Sequence, residues 1–414
     1  ATAYRRAADA ILSDGGLRDR DGTVAYVLTL ESLAQANSST GRYQDAVSAY
    51  DEILAVAESP YYRADIQFRA GQAFAAAGDV PGAVERWTAA TQEDQTSGAA
   101  YSALIELVNR DVAFDLYQRG VIDLYAEAWI PAINAFESFL ETTSATDARF
   151  PLALLGAGQA YAATGAYAEA ISYFDRVISA YSECECAGEA WLEKAAAESA
   201  SGDDIAAHRT YRTFSREQSG NELAPEALWR SALLALNSGK EIEAGLDFLT
   251  LADAFPESER APASLYAVGI GAYQKGLYGQ SADTFGRLQR DYPDYRWDAV
   301  GFWLGRAQHA NGMPNAGNET WQALVDRAPD IYHGVLAGYG LQDPSMTQGN
   351  AIDEISLMIP GSVSSNGDDG SRAFAEQWLA GWVDGFGAGG NLSVLPSILT
   401  TDTQLIAGQV LLDV

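Results

Sequence analysis

Three histidines could act as metal ligands or general bases, and their spacing decides whether they do. His208, His309 and His333 lie far apart in the sequence, and none belongs to a His-x-x-x-His or Glu-x-x-His pair. Zinc sites need three or four ligands that the local fold brings together. The sequence therefore predicts no metal site, and we assign no cofactor.

The two cysteines stand close together in Ser182-Glu183-Cys184-Glu185-Cys186. Two thiols are too few for a structural zinc site, which takes four ligands. They can form a local disulfide or remain two free thiols. The sequence leaves both possibilities open, and with them the redox compartment.

Two Gly-x-Gly segments have the composition of a phosphate-binding loop, namely Gly156-Ala157-Gly158 and Gly269-Ile270-Gly271. Phosphate binding requires a strand before the glycines and a helix after them. Both segments fall inside predicted helices instead. We interpret them as glycines that allow close helix packing.

A repeat of about 37 residues must position all of these side chains. Its anchor is a glycine at seven positions, with Glu127 in its place once: Gly41, Gly78, Gly165, Gly202, Gly239, Gly276 and Gly312. Nine residues after every anchor stands an aromatic residue: Tyr50, Trp87, Phe136, Phe174, Tyr211, Phe248, Phe285 and Trp321. Small residues stand five after and seven before each anchor.

This spacing predicts a pair of antiparallel helices in each unit. Positions five, nine and twelve after the anchor follow the i, i+4, i+7 spacing of one helix face. A glycine suits the end of the first helix, where a left-handed residue satisfies orphan carbonyls and lets the chain turn back. The small positions let the two helices approach, and the aromatic ring fills the space beside them. Since one pair cannot bury its own apolar face, the units must stack.

The pattern resembles the tetratricopeptide repeat family. The small residue seven before the anchor, the alanine five after it, the aromatic nine after it and the proline seventeen after it (Pro256, Pro293 and Pro329) match that family's consensus. The family's unit is about 34 residues, so this variant has a longer link. The resemblance implies an all-α, right-handed α-solenoid, or superhelix, of about eight helix pairs plus an irregular helical C-terminal segment.

We expect three regions in the chain. Residues 1–22 form an N-terminal cap or half-repeat, helical over Ala1 to Ser13; residues 23–329 form the repeat domain; residues 330–414 form an irregular helical segment with a flexible loop near 361–372. The 49 residues from Gly78 to Glu127 leave room for an added or lengthened helix. Because the chain starts without Met and ends on apolar residues, we expect a removed leader or a fragment whose parent continues.

The charge balance excludes some partners. The chain carries 56 acidic and 26 basic residues, a formal net charge of −30. Phosphate backbones are repelled by such a surface, which argues against nucleic acid. No run of about 18 apolar residues occurs, so the sequence predicts no transmembrane helix.

A second resemblance covers roughly the second half of the chain. The order Gly301-Phe302-Trp303-Leu304-Gly305-Arg306-Ala307, Pro329 and Tyr332-His333-Gly334-Val335-Leu336-Ala337 resembles the helical region of soluble lytic transglycosylases. In that family an arc of helices precedes a lysozyme-like domain that cleaves peptidoglycan. The family's catalytic acid is a Glu followed by Ser, with a Gly-Leu-Met-Gln stretch downstream. The chain has four Glu-Ser pairs in repeat positions or links but no Gly-Leu-Met-Gln. We assign no catalytic residue, although a parent protein could carry a catalytic domain after residue 414.

The resemblance to repeat proteins also implies that the first helix of each pair faces a concave groove. Seven aromatic or basic residues would line it: Tyr117, Trp229, Tyr266, Tyr273, Phe302, Arg306 and His309. Such a groove could hold a peptide or a glycan strand. The alternative is that these side chains only pack neighbouring units.

Two functional hypotheses follow. The first is a noncatalytic, extracytoplasmic or periplasmic helical domain of a lytic-transglycosylase-like protein of the cell envelope, which binds or positions peptidoglycan or partner proteins. The alternative is a stand-alone repeat scaffold for protein–protein assembly in the cell envelope. A cytoplasmic adaptor comes third.

Overall fold

A computed structural model describes residues 1–13 and 20–342 of the chain. Within these ranges every regular element is an α-helix. The helices run as follows: α1 Thr2–Ser13, α2 Arg20–Ser38, α3 Tyr43–Leu54, α4 Pro60–Ala76, α5 Val80–Glu93, α6 Gly98–Val108, α7 Leu116–Tyr125, α8 Trp129–Thr142, α9 Phe150–Ala163, α10 Tyr167–Ala180, α11 Ala187–Ala200, α12 Asp204–Glu217, α13 Ala224–Asn237, α14 Glu241–Ala254, α15 Arg260–Gln274, α16 Tyr278–Asp291, α17 Trp297–Ala310, α18 Pro314–Arg327 and α19 Tyr332–Gln342.

The helices form eight pairs, each joined by a short turn at one of the predicted anchors. The first two pairs are α2 with α3 and α4 with α5. Helix α6 follows them, and the other six pairs run from α7 with α8 to α17 with α18. Consecutive helices pack against one another from α1 to α13 and from α15 to α19. The all-α solenoid of about eight helix pairs is therefore confirmed. Among the helices described, none has the length and hydrophobicity needed to cross a bilayer.

The turns inside the pairs explain why glycine recurs. All seven anchor glycines have a positive φ, between 69° at Gly239 and 94° at Gly202. Glu127, which replaces the glycine once, adopts the same left-handed conformation with φ 58°. L side chains rarely adopt this conformation because Cβ approaches the backbone too closely. The turn therefore selects glycine by backbone geometry.

The small positions and the aromatic positions meet as predicted. All eight aromatic residues nine after the anchors are buried. A Cβ atom at Gly158 would lie 2.5 Å from the ring of Phe174, and one at Gly269 would lie 2.8 Å from the ring of Phe285. Each glycine thus leaves the space that the ring of the partner helix fills.

The long spacing between Gly78 and Glu127 accommodates an added helix. Helix α6 packs against α5, and the Ser97 hydroxyl caps its start by accepting a hydrogen bond from the Ala100 N–H at 3.1 Å. Asp111, just after α6, takes a left-handed φ of 54°. Of the two expectations for this region, an added helix is correct.

The cysteines are joined. Cys184 and Cys186 form a disulfide in the link between α10 and α11. Cys186 is buried against the core formed by Phe150, Leu154 and Phe174. This decides between the two possibilities that the sequence left open.

Contacts divide the described residues into two compact units, the first ending at Asp247 and the second beginning at Phe248. The first unit contains α1 to α13 and the start of α14, and the second contains the rest of α14 with α15 to α19. The helix predicted near the N-terminus is confirmed as α1, and α19 lies at the start of the segment that we expect to be irregular and helical. The domain boundaries at residues 22 and 329 stay predictions. The predicted loop near 361–372 and the C-terminal segment after residue 342 lie outside the described residues.

Candidate functional site

The predicted binding residues lie on the first helices of their pairs, but they differ in accessibility. Trp229, Tyr266, Phe302 and Arg306 are buried. Tyr117, Tyr273 and His309 are half-buried. Five of the seven belong to α15 and α17 in the second unit, whereas Tyr117 on α7 and Trp229 on α13 belong to the first.

Tyr266 and Phe302 act as core residues in this conformation. Tyr266 has no exposed surface, and its ring meets Phe285 edge-on with centroids 5.6 Å apart. The Phe302 ring stacks on Trp321 at 6.0 Å. A ligand would reach these rings only after the helices had separated.

Arg306 joins a cluster of aromatic residues in the second unit. Its guanidinium carbon lies 4.9 Å from the ring centroid of Tyr273 and 4.7 Å from that of Trp303. Tyr273 also contacts Tyr278 at 5.1 Å. A cation held against aromatic faces in a partly dry site is stabilised by the ring quadrupoles. We call Tyr273, Tyr278, Trp303 and Arg306 the Arg306 cluster; its two tyrosines are half-buried.

The three histidines have separate environments. His309 stacks on Trp321 with centroids 4.5 Å apart, and burial lowers the pKa of its imidazole. His333 Nδ1 lies 2.8 Å from Asp298 Oδ2. Burial acts to raise the pKa of Asp298, but the hydrogen bond from His333, the charge of His333 and hydrogen bonds from backbone N–H groups together outweigh burial and lower the pKa. In the part of the chain that is described, no group of three or more histidine, cysteine or acidic residues could hold a metal ion.

Tyr117 packs against its own helix pair and against the residue that precedes α9. Its ring lies 5.6 Å from Phe139, and the guanidinium carbon of Arg149 lies 5.8 Å from the Tyr117 centroid. Burial raises the pKa of the phenol. Of the predicted residues, the structure therefore brings Tyr273 and Arg306 into direct contact and leaves Tyr117 and Trp229 in other pairs.

One polar site was not predicted from the sequence. Asp247 on α14 is fully buried, and its Oδ2 accepts a hydrogen bond from the Ser231 hydroxyl at 2.7 Å. His208 Nε2 lies 2.9 Å from Asp247 Oδ2, and Arg212 Nε lies 3.1 Å from Oδ1. Buried carboxylates need such partners to offset desolvation.

A sequence signal for this site did exist. Asp247 occupies the position eight residues after its anchor, where the other units have neutral residues or one arginine: Ala49, Arg86, Ala135, Tyr173, Thr210, Thr284 and Thr320. An acid beside the buried aromatic position departs from the repeat pattern. This departure from the repeat pattern indicates that Asp247 has a role other than packing.

Comparison with known proteins identifies the repeat. Residues 32–100 and 132–183 match the family model described as a tetratricopeptide repeat. Among curated proteins, none matches the chain. These two stretches are similar to tetratricopeptide repeats. The common spacing of about 37 residues carries the same residue pattern through the other pairs.

Several solved structures are similar to the chain. A tetratricopeptide repeat protein from Parabacteroides merdae is 16% identical, with 67% of this chain and 97% of that chain covered and a TM-score of 0.30. The tetratricopeptide repeat domain of P58(IPK) is 12% identical, with 84% and 99% covered and a TM-score of 0.25. The apo form of RapI is 11% identical, with 80% and 96% covered and a TM-score of 0.39.

Proposed function

We propose that this chain, a protein of the tetratricopeptide-repeat type, is a scaffold that binds a protein or peptide partner in the cell envelope. The observation that carries the proposal is the match of residues 32–100 and 132–183 to the tetratricopeptide repeat model. Stacked helix pairs suit protein–protein interaction, because neighbouring pairs present side chains side by side over a long surface. We propose no catalytic role for the described residues.

The disulfide supports an extracytoplasmic location. Disulfides persist in oxidising compartments and are rare where glutathione and thioredoxin keep thiols reduced. The bond between Cys184 and Cys186 is consistent with a periplasmic or cell-envelope protein. Alkylation of freshly lysed cells followed by mass spectrometry tests this location. Unmodified cysteines support it, and full alkylation at both positions contradicts it.

The Arg306 cluster is the part of the predicted face that we propose as the contact surface. Tyr273 and Tyr278 are half-buried, so their rings can contact a partner without unfolding of a helix pair. Tyrosine combines a large apolar surface with a polar hydroxyl and is enriched at protein interfaces. The neighbouring guanidinium adds a positive charge to this part of an acidic chain.

Peptidoglycan is the second candidate ligand. The same aromatic rings suit stacking on sugar rings, and the segment from Gly301 to Ala337 resembles the helical region of soluble lytic transglycosylases. In this alternative the chain is a noncatalytic domain that positions glycan strands. The two candidates share a surface but differ in ligand, so one set of variants serves both.

The experiment measures partner binding by the wild-type chain and by Tyr273→Leu. A captured envelope protein is purified and titrated calorimetrically, and purified peptidoglycan sacculi are tested by co-sedimentation. We expect Tyr273→Leu to weaken protein binding, while Tyr61→Leu, at a tyrosine that is 64% exposed on α4, serves as the matched control. Binding to sacculi alone would favour the second candidate. Absence of binding to either, or equal binding by both variants, contradicts this surface.

A further inference from the structure

Helix α12 carries a row of arginines that the proposed function does not use. Ile205, Arg209, Arg212 and Arg216 follow the i, i+4, i+7, i+11 spacing and so share one face of the helix. All four are exposed. We call Arg209, Arg212 and Arg216 the α12 basic stripe; no other described helix contains three arginines.

Repeat packing does not require this stripe. Thirty-seven residues earlier, the equivalent positions on α10 are Ser172, Asp175 and Ser179. Thirty-seven residues later, those on α14 are Leu246, Leu249 and Asp253. Three positive charges therefore stand where neighbouring units have neutral or acidic residues. In a chain with a net charge of −30, this local reversal of sign needs a separate reason.

A buried carboxylate of the same unit holds the central arginine of the stripe in place. Arg212 uses its Nε to contact the buried Asp247, and His208 contacts the other oxygen of the same carboxylate. Half of the Arg212 side chain remains exposed, and its terminal amino groups have no partner among the described residues. Asp247 thus fixes the position of the Arg212 guanidinium, whose terminal amino groups can bind a ligand.

The other two arginines are also available. Arg209 makes no hydrogen bond or ion pair with any residue in the ranges that the structure describes. The Arg216 side chain is 74% exposed, and among the described residues its ion pair is with the neighbouring Glu217, at 3.1 Å. A surface pocket of about 320 Å³ runs beside them, lined by Ile205, His208, Arg209, Arg212, Thr213 and Arg216.

We propose that the α12 basic stripe binds an acidic segment of a partner protein. Guanidinium groups match carboxylates in a two-pronged geometry, and Ile205 at the end of the row offers an apolar contact. The row from Ile205 to Arg216 spans about 16 Å, which is roughly five residues of an extended peptide. The inference deepens the proposed function and rests on it, because it names the chemistry of one partner.

The negative charge of the rest of the chain favours a short acidic ligand over a long one. Exposed charges more than about 10 Å apart are largely screened at 0.1 M salt. A short acidic segment therefore meets mainly the stripe, whereas a long polyanion such as nucleic acid also meets the surplus of carboxylates elsewhere. An acidic peptide fits the stripe better than a nucleic acid does.

The test uses a fluorescein-labelled peptide of one leucine followed by six glutamates, with fluorescence anisotropy at 50 mM NaCl and pH 7.5. We expect saturable binding that weakens as salt is added. The double variant Arg209→Gln, Arg216→Gln should weaken binding roughly tenfold, because two of the three exposed charges are lost. Circular dichroism checks that the variant keeps the wild-type fold, which exposed positions permit.

The matched control is the double variant Arg176→Gln, Arg290→Gln, which removes two exposed arginines from α10 and α16 and changes the net charge equally. We expect it to bind the peptide as the wild type does. Equal weakening by both double variants would overturn the stripe as a site. Dimerisation of the chain at low salt that the α12 variant abolishes would assign the stripe to a second copy and also overturn the proposal. If the peptide does not bind while the captured envelope protein does, the inference fails and the proposed function stands.

Discussion

At the scale of single residues, the contact between a glycine and an aromatic ring constrains how closely two helices pack. Gly269 and Gly271 lie two residues apart on α15, yet their surroundings differ. A Cβ atom at Gly269 would meet the Phe285 ring at 2.8 Å, whereas one at Gly271 would meet nothing within 4 Å. Only the first glycine is required by packing.

This difference gives a paired prediction. Gly269→Ala should destabilise the chain by about 1–3 kcal/mol, because overpacking forces the ring or a helix to move. Gly271→Ala should be neutral or stabilise by up to about 1 kcal/mol, because alanine favours the helix over glycine. Thermal unfolding followed by circular dichroism measures both. A similar loss in the two variants would contradict the ring contact as the cause, because only Gly269 faces a ring.

Asp123 on α7 shows a different residue-scale effect. Its side chain is almost completely buried, with Arg119 Nε 3.5 Å from Oδ2. Burial raises the pKa of Asp123 to about 6, although Arg119 acts in the opposite direction. The carboxylate therefore carries a desolvation cost at neutral pH.

The desolvation cost of the Asp123 carboxylate predicts how the stability of the chain depends on pH. The folded pKa lies above the ordinary value of about 3.9, so the folded state binds more protons between roughly pH 4 and 6. The contribution of Asp123 to stability is complete below this window and is lost as the pH rises through 6. Asp123→Asn should therefore raise the unfolding temperature more at pH 7.5 than at pH 4, by the equivalent of about 1–2 kcal/mol. The exposed Asp283→Asn is the control, and an identical shift at both pH values would count against the prediction.

At the scale of the elements, the turn inside each pair is determined by backbone conformation. Seven turns use glycine at positive φ, and the turn between α7 and α8 uses Glu127 at φ 58°. A β-carbon in this region costs about 1–2 kcal/mol. The α7–α8 pair therefore contains a strained turn that the other pairs avoid.

Replacement of this residue tests the turn directly. Glu127→Gly should stabilise the chain by about 0.5–1 kcal/mol, since the relief of strain exceeds the extra entropy of an unfolded glycine. The reverse change in an equivalent turn, Gly165→Glu, should destabilise it by a similar or larger amount. Thermal unfolding of both variants is the measurement. A lower unfolding temperature for Glu127→Gly is the outcome that contradicts the explanation.

The packing of neighbouring helices also explains why the predicted binding residues differ in accessibility. Spacing places Tyr266 and Tyr273 on the same helix, seven residues apart. Tyr266 is fully buried, whereas Tyr273 is half-buried beside Arg306. Periodicity identifies a helix face, but the neighbouring helices determine how much of that face is covered.

At the scale of the whole molecule, the surplus of acidic groups is the dominant electrostatic feature. The chain has a net charge of −30, and exposed ion pairs such as Arg216 with Glu217 offset this charge only between neighbouring side chains. Like charges at this density oppose compaction, and exposed ion pairs contribute little to stability. Repulsion should therefore outweigh local attraction at low ionic strength.

Added salt should then stabilise the chain. We expect the unfolding temperature to rise by a few degrees between 20 and 300 mM NaCl, because screening reduces repulsion among the carboxylates. Choline chloride at the same ionic strength should give the same rise, since the effect does not depend on the cation. A fall in unfolding temperature with salt would mean that the ion pairs matter more than the surplus charge.

The sequence by itself determined the helix pairs, their turns and their buried rings. These features follow from local spacing. Left-handed turns favour glycine at the anchor. The packing of an aromatic ring against a small residue fixes how the two helices of a pair align, as Gly158 and Phe174 show. The added helix α6 and the disulfide were each one of two options that the spacing left open.

Tertiary structure alone decided which side chains are accessible and which distant ones meet. Asp247 lies 39 positions after His208 and 16 after Ser231, yet all three meet in one buried site. No local pattern encodes that contact, because it depends on how adjacent helix pairs stack. The same stacking covers Tyr266 and leaves the α12 basic stripe exposed, since burial is a property of neighbouring surfaces and not of spacing along one helix.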